Sequence, residues 1–260
     1  MFHAQDLVHR LVGLRLAHPL YLFQQIGSTN DQARQLADGG APEGLLVVAE
    51  EQTGGRGRGG RRWLTPPGSA LAVSVVLRPP LPAGQAARVT MLAGLAVCEA
   101  VELVAGVRAD LKWPKDVLLG GRKTAGILVD SAFRGDALEY AVLGIGLNVS
   151  WAPDDTQVEF PATCLEAAAG RSVDRLTLLR ALLSALQTRY ADLAGERLFA
   201  DWRARLTLLG APVTVHTATE TVAGQALDVE PDGALLVQLT TGETRRVLAA
   251  DVHLRPPDAA

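Results

Sequence analysis

Between two apolar runs, residues 45–49 and 70–77, lies a stretch that neither a helix nor a central strand can easily absorb. Positions 54–63 carry five glycines, four arginines and no acidic residue, and end in Trp63. So many glycines disfavour regular structure, so the chain is expected to run here as a loop between two buried strands. Glycine lets backbone amides approach a ligand closely, and the arginines supply a local positive field with bidentate geometry for phosphate or carboxylate. The stretch is not a P-loop, which needs Lys-Ser/Thr after its second glycine, nor a GxGxxG turn opening a helix. Trp63 is placed to stack on a base. A solvated loop and an RGG-like RNA contact are the rival readings; a single occurrence between two apolar strands argues against both.

The remainder of the composition narrows the class. The chain has 260 residues, 48% of them hydrophobic, and a net charge of −3, which excludes a globally basic nucleic-acid coat and predicts one large domain or two smaller ones. Two cysteines, Cys98 and Cys164, cannot form a disulfide framework, and Cys98 lies inside an apolar helical run, as a buried thiol does in a reducing compartment. The five histidines show no metal-ligand spacing, and neither a GxSxG elbow nor a cysteine-centred nucleophile motif occurs. The first ten residues lack the basic-then-apolar layout of a secretory signal, and no stretch reaches about 18 uninterrupted apolar residues. A cytoplasmic protein without membrane segments is expected.

Along the chain, Leu7, Leu11 and Leu14 predict an amphipathic helix within 1–22, stopping before Pro19. Ser28 and Thr29 are suited to cap a second helix that ends at Gly39-Gly40. A long apolar helix is expected at 86–105, then strands near 108–112, 116–119, 123–132 and 138–149, with Gly120-Gly121 as a hairpin turn. Residues 161–169, 173–194 and 196–209 read as helical. From Pro212 the pattern changes to short alternating strands at 213–215, 221–229, 235–239 and 244–248, a unit small enough to need docking on the main body. The expected division is 1–209 and 210–260.

Scarce residues mark the remaining motifs. Of 25 basic residues only three are lysine (Lys112, Lys115 and Lys123), all within a dozen positions, and the only asparagines are Asn30 and Asn148. A compact ammonium serves where a flat guanidinium does not. Asn30 follows the Ser28-Thr29 cap. Lys112-Trp113-Pro114-Lys115-Asp116 marks a strand end or edge. Lys123 opens an apolar strand containing Gly126, and Gly144-Ile145-Gly146-Leu147-Asn148 is a strand whose glycines admit close approach before an amide that can read a base edge.

Together these stretches resemble the biotin protein ligases. The resemblance is carried in order by Ser28-Thr29-Asn30, Gln52 with Gly55-Arg56-Gly57-Arg58-Gly59, Arg61 to Trp63, Lys112-Trp113-Pro114 with Asp116, Arg122-Lys123 with Ala125-Gly126-Ile127, and Gly144 to Asn148. It covers residues 22–150, and the β unit at 212–255 fits as well. It implies an α+β fold: a catalytic domain with a mixed β-sheet of the class II aminoacyl-tRNA synthetase type, followed by a small SH3-like β-barrel. Two departures stand out. The family often has Asn where this chain has Lys115. Longer members carry an N-terminal DNA-binding helix-turn-helix, for which the residues before 28 leave no room, so repressor activity and DNA binding are not implied.

The resemblance implies ATP-dependent conversion of biotin to biotinyl-5'-AMP, then transfer of biotin to a lysine of the biotin carboxyl carrier domain of acetyl-CoA carboxylase or a related carboxylase. Arg58 and Lys123 are implied as the catalytic cations, screening two anions that must meet. Biotin is implied to contact Ser28, Thr29, Asn30, Gln52 and the flap residues Gly55, Arg56, Gly57 and Arg58, with Lys123, Gly126 and Gly144. ATP is implied to contact Arg61, Trp63, Lys112, Asp116, Lys123 and Asn148, with Mg2+ carried on the phosphates and its protein ligands unassigned. Monomer and homodimer both occur in the family. A lipoate ligase shares this chemistry, but the polar Ser28, Thr29 and Gln52 set suits a ureido ring better than a dithiolane. An RNA-binding module built on Arg56 to Arg62 and Trp63 leaves the lysines and Asn148 unexplained.

Overall fold

The computed structural model describes residues 1–217, 220–248 and 251–254. Its frame is a seven-stranded sheet in the order β1-β2-β3-β7-β6-β5-β4. The strands are β1 (Leu20–Ile26), β2 (Leu46–Gln52), β3 (Ala70–Leu77), β4 (Asp110–Lys112), β5 (Asp116–Leu119), β6 (Arg122–Arg134) and β7 (Ala137–Asn148). Only β1 and β2 run parallel; the remaining neighbours are antiparallel. The sheet is therefore mixed, as the resemblance implies. The expected hairpin turn is present, with Gly120 and Gly121 at φ +54° and +77°, a backbone region that costs glycine little.

Because strand side chains alternate between faces, each strand divides its residues between two layers. Leu46 and Val48 of β2, Leu71, Val73 and Val75 of β3, and Leu143, Ile145 and Leu147 of β7 face the main core. That side is covered by α3 (Ala87–Ala105) and α5 (Arg175–Tyr190), whose buried residues include Leu92, Leu95, Leu179 and Leu183. Each fully buried leucine contributes roughly 2 kcal/mol. The opposite face is covered only in part, by α2 (Thr29–Asp38), through Ala33 and Ala37 against Val47, Val76 and Val142. Past the N-terminal end of α2 no helix covers that face, and the residues presented there are small: Ala72 and Ser74, Gly144 and Gly146, Gly126.

After α5, α6 (Glu196–Ala204) leads into a five-stranded antiparallel sheet ordered β11-β10-β9-β8-β12, made of β8 (Pro212–His216), β9 (Thr221–Val229), β10 (Leu235–Leu239), β11 (Thr244–Val247) and β12 (Asp251–Leu254). One buried apolar cluster runs through both parts, from Leu92 and Leu111 to Val213 and Leu235. Trp113 Nε1 donates to the carbonyl of Gly233, in the turn before β10, at 2.8 Å.

Several expectations need correction. The first helix, α1, spans only Ala4–Arg10; Gly13, at φ +85°, ends the helical course, and β1 starts where the helix was expected to finish. Leu7, Leu11 and Leu14 are nonetheless buried, whereas Val8 and Val12 are exposed. Residues 161–164 are extended and lie along β6, with Lys123 N donating to Pro161 O and Thr163 N to Lys123 O; α4 is confined to Leu165–Ala169. The expected helices at 173–194 and 196–209 are shorter at their ends. The strand β12 was not anticipated, and residues 255–260 of the expected C-terminal unit lie outside the described residues.

Candidate active site

Strand register builds the floor of the site. Ala72, Gly146, Gly126 and Asp116 form one row across β3, β7, β6 and β5; Ser74, Gly144 and Leu128 form the next. A Cβ on Gly146 would overlap the Trp63 indole, and one on Gly144 would overlap the Asn30 amide. The glycines thus make room for two side chains delivered from loops and a helix end. Above this floor opens a cavity of about 570 Å³.

Ser28 caps α2, its Oγ accepting from Asp31 N at 3.4 Å, which fixes the next two residues over the floor. Asn30, 4% exposed, is fully engaged. Its Nδ2 donates to Leu128 O at 3.3 Å and Asp130 Oδ2 at 3.1 Å, and its Oδ1 accepts from Ser74 Oγ at 2.6 Å. Thr29 donates through N (2.9 Å) and Oγ1 (3.1 Å) to Gln52 Oε1. The expected biotin-contacting set is therefore a preorganised polar wall, each member held by the protein.

The Gly/Arg segment folds back over the cavity as an ordered flap. Gly57 N donates to Arg61 O at 2.7 Å and Trp63 N to Gly55 O at 2.9 Å. Arg56 ties it down by pairing with Asp31 at 3.0 Å and with Asp130. Arg61 Nη1 reaches Glu159 Oε2 at 3.1 Å, on the segment that crosses the far rim. Trp63 packs against Gly146 and Gly126, and its buried Nε1 has no hydrogen-bond partner among the described residues.

The three lysines converge on the same cavity. Lys123 Nζ is 2.9 Å from Asp116 Oδ1 and 5.8 Å from the Trp63 ring centroid. Lys112 Nζ stands 3.9 Å over the Phe160 ring. Burial pushes the Lys115 ammonium down to about 8; Lys123, Arg58 and Arg61 add to this and Asp116 opposes it. Asn148, 2% exposed, donates through Nδ2 to Thr163 O at 3.1 Å and so fastens the rim to the end of β7.

Of the sequence-derived residues, Ser28, Thr29, Asn30, Gln52, Arg56, Gly57, Arg58, Arg61, Trp63, Lys112, Asp116, Lys123, Gly126, Gly144 and Asn148 all line this one cavity. Gly55 does not; it is the flap residue paired with Trp63, where a Cβ would strike the Trp63 carbonyl. The sequence did not reveal Asp31 and Asp130 as anchors of Arg56, Ser74 as the partner of Asn30, or the rim residues Glu159 and Phe160. Among the described residues no group of three or more His, Cys, Asp or Glu side chains could hold a metal ion. A second cavity, of about 340 Å³ beside Phe2 and Arg175, contains none of the expected residues.

Comparison with known proteins identifies the family. Residues 22–148 match the biotin/lipoate A/B protein ligase family and residues 208–255 match the biotin protein ligase C terminal domain. A biotin–[acetyl-CoA-carboxylase] ligase of Paracoccus denitrificans is 36% identical over 231 residues, which is 86% of this chain and 95% of its own. A bifunctional ligase/repressor BirA of Bacillus subtilis (strain 168) is 35% identical over 234 residues, covering 88% of this chain and 72% of its own. Among solved structures, the biotin protein ligase of Aquifex aeolicus in complex with biotin and ATP superposes with a TM-score of 0.77 at 24% identity, covering 92% of this chain and all of that one.

Proposed function

The chain belongs to the biotin protein ligase family, and we propose that it activates biotin with ATP and passes it to a lysine of a biotin carboxyl carrier domain. It is a ligase with two substrates, biotin and ATP, and an acyl-adenylate between its two half-reactions. The observation that carries the assignment of residues is the shared cavity: the arginine flap and Lys123 line one open space beside a polar wall. The match of residues 208–255 to the C-terminal domain of biotin protein ligases favours biotin over lipoate.

In the first half-reaction a carboxylate oxygen of biotin attacks the α-phosphorus of ATP, the bond to the β-phosphate breaks, and pyrophosphate leaves. Both reactants are anions. Arg58 and Lys123 lower their mutual repulsion and stabilise the charge that builds on the phosphoryl oxygens, a contribution of ~3 kcal/mol per contact. Lys123 is aimed by its ion pair with Asp116. The wall of Thr29, Gln52 and Asn30 receives the ureido end of biotin, and Arg56-Gly57-Arg58 covers the mixed anhydride and keeps water from it. Arg61, Trp63, Lys112 and Asn148 border the nucleotide side. Magnesium carried on the phosphates would supply further charge neutralisation.

In the second half-reaction the uncharged amine of the carrier lysine attacks the acyl carbonyl, the carbon–oxygen bond to AMP breaks, AMP leaves, and the amine proton passes to solvent. The Paracoccus relative is named for acetyl-CoA carboxylase, and the carrier domain of that enzyme or of a related carboxylase is the proposed partner. No helix among the described residues is long and apolar enough to cross a membrane. The test is transfer of biotin to a purified apo carrier domain, read with labelled streptavidin, alongside biotin-dependent exchange of pyrophosphate into ATP. Exchange supported by lipoate and not by biotin would overturn the assignment.

A further inference from the structure

The three lysines of the cavity are not equivalent. Lys123 is paired with Asp116, and Lys112 rests on the Phe160 ring. Lys115 is fixed at its backbone, its carbonyl accepting from Ile127 N at 3.3 Å. Its side chain lines the cavity, but its Nζ makes no hydrogen bond or ion pair among the described residues. The charges around it are Lys123, Arg58 and Arg61 on one side of the balance and Asp116 on the other, and Asp116 is already engaged by Lys123. A partly buried ammonium in such company lacks negative charge, and an anion entering the cavity supplies it. A single carboxylate does not match this many cations; a polyphosphate does.

We propose that Lys115 is a substrate-contacting residue of the first half-reaction, its ammonium holding the pyrophosphate end of ATP as the α-phosphate is attacked. The inference rests on the reading of the cavity as a biotin-activating site. It concerns this chain in particular, since the asparagine often found at this position in the family carries no charge. Bound pyrophosphate favours the charged form of Lys115, so binding is tightest below about pH 8 and weakens above it as the free protein releases that proton.

The test uses the full chain with Lys115→Met and Lys115→Arg. Calorimetric titration with inorganic pyrophosphate gives a readout independent of turnover, and exchange kinetics give KM for ATP and for biotin separately. Lys115→Met is expected to weaken pyrophosphate binding and raise the ATP KM by about tenfold or more, with biotin KM within about twofold of wild type and an unchanged circular dichroism spectrum. Lys115→Arg is expected to restore most of the ATP affinity and to remove the loss of pyrophosphate affinity that wild type shows between about pH 7.5 and 9.5, because guanidinium stays charged throughout. Three results would overturn the inference: unchanged pyrophosphate affinity in Lys115→Met, a rise confined to biotin KM, or biotin found on Lys115 by peptide mapping after incubation with biotin and ATP. The last would make the amine a nucleophile. A wild-type protein that binds pyrophosphate but shows no biotin-dependent exchange refutes the reading of the site, while the titrations still decide the role of Lys115.

Discussion

The amide of Asn30 occupies the space above Gly144 that a methyl group on that residue would claim. Helix α2 and strand β7 thereby fit together at a point where neither can change alone. The amide is held by Ser74, Leu128 and Asp130, so it has no alternative position at equal energy. Gly144→Ala is expected to lower stability by roughly 2 kcal/mol through overpacking and strained hydrogen bonds. It should raise the biotin KM at least about tenfold, with ATP KM near wild type. Thermal denaturation and exchange kinetics check this; a variant with the wild-type biotin KM contradicts the placement of biotin against this wall.

Lys123→Ala removes one of the two cations assigned to the charge of the first half-reaction and leaves Asp116 without its partner. Pyrophosphate exchange is expected to fall about a hundredfold, with the far-ultraviolet circular dichroism spectrum retained. Exchange at the wild-type rate would exclude Lys123 from the reacting centre.

The flap is anchored at Arg56 and Arg61, to Asp31 and Asp130 and to Glu159 respectively, mostly by pairs exposed enough to open and reclose. Trypsin should therefore cut at the arginines between 56 and 62 in the free protein. Biotin plus ATP should slow this cleavage by about fivefold or more as the flap closes on the adenylate. Equal rates with and without the ligands would mean that the flap does not close over them.

Lys115 ties stability to pH in the absence of nucleotide. Its folded value of about 8 lies below the ordinary 10.5, so the folded protein bears the full cost of the buried charge below pH 8. That cost fades as pH rises from 8 to 10.5, where the folded form has released its proton and the unfolded chain has not. Lys115→Met is accordingly expected to be more stable than wild type at pH 7, by roughly 1–3 kcal/mol, and to lose that advantage by about pH 10.5. Urea denaturation across this range measures the difference; a destabilised variant at pH 7 contradicts it.

What the sequence revealed was largely what local chemistry dictates. The Ser28 cap, the glycine turn at 120–121 and the glycine-rich flap each follow from preferences of adjacent residues, and the scarcity of Lys and Asn pointed to the cavity before any fold was known. The strand β1 was concealed because the Leu7, Leu11, Leu14 spacing continues the helical period through a region where Gly13 has already ended the helix. Residues 161–164 sit between apolar and helix-forming neighbours, and only their pairing with Lys123 makes them extended. Asp31 and Asp130 lie 25 and 74 positions from Arg56, and nothing in either neighbourhood distinguishes them from ordinary surface acids; sheet topology alone brings them together. Ser74 is similar, a hydroxyl inside an apolar strand whose purpose appears only with Asn30 opposite.

The hydrogen bond from Trp113 to Gly233 joins the stretch carrying Lys112, Lys115 and Asp116 to the C-terminal sheet. Severing the chain near residue 209 would strand an indole donor in an apolar seam and strip cover from Met91. Whatever agitates the distal strands, whether heat or a substitution near the turn at 231–233, therefore has a short mechanical route to the ammonium groups of the cavity. The far end of the polypeptide behaves as a brace for the reaction chamber.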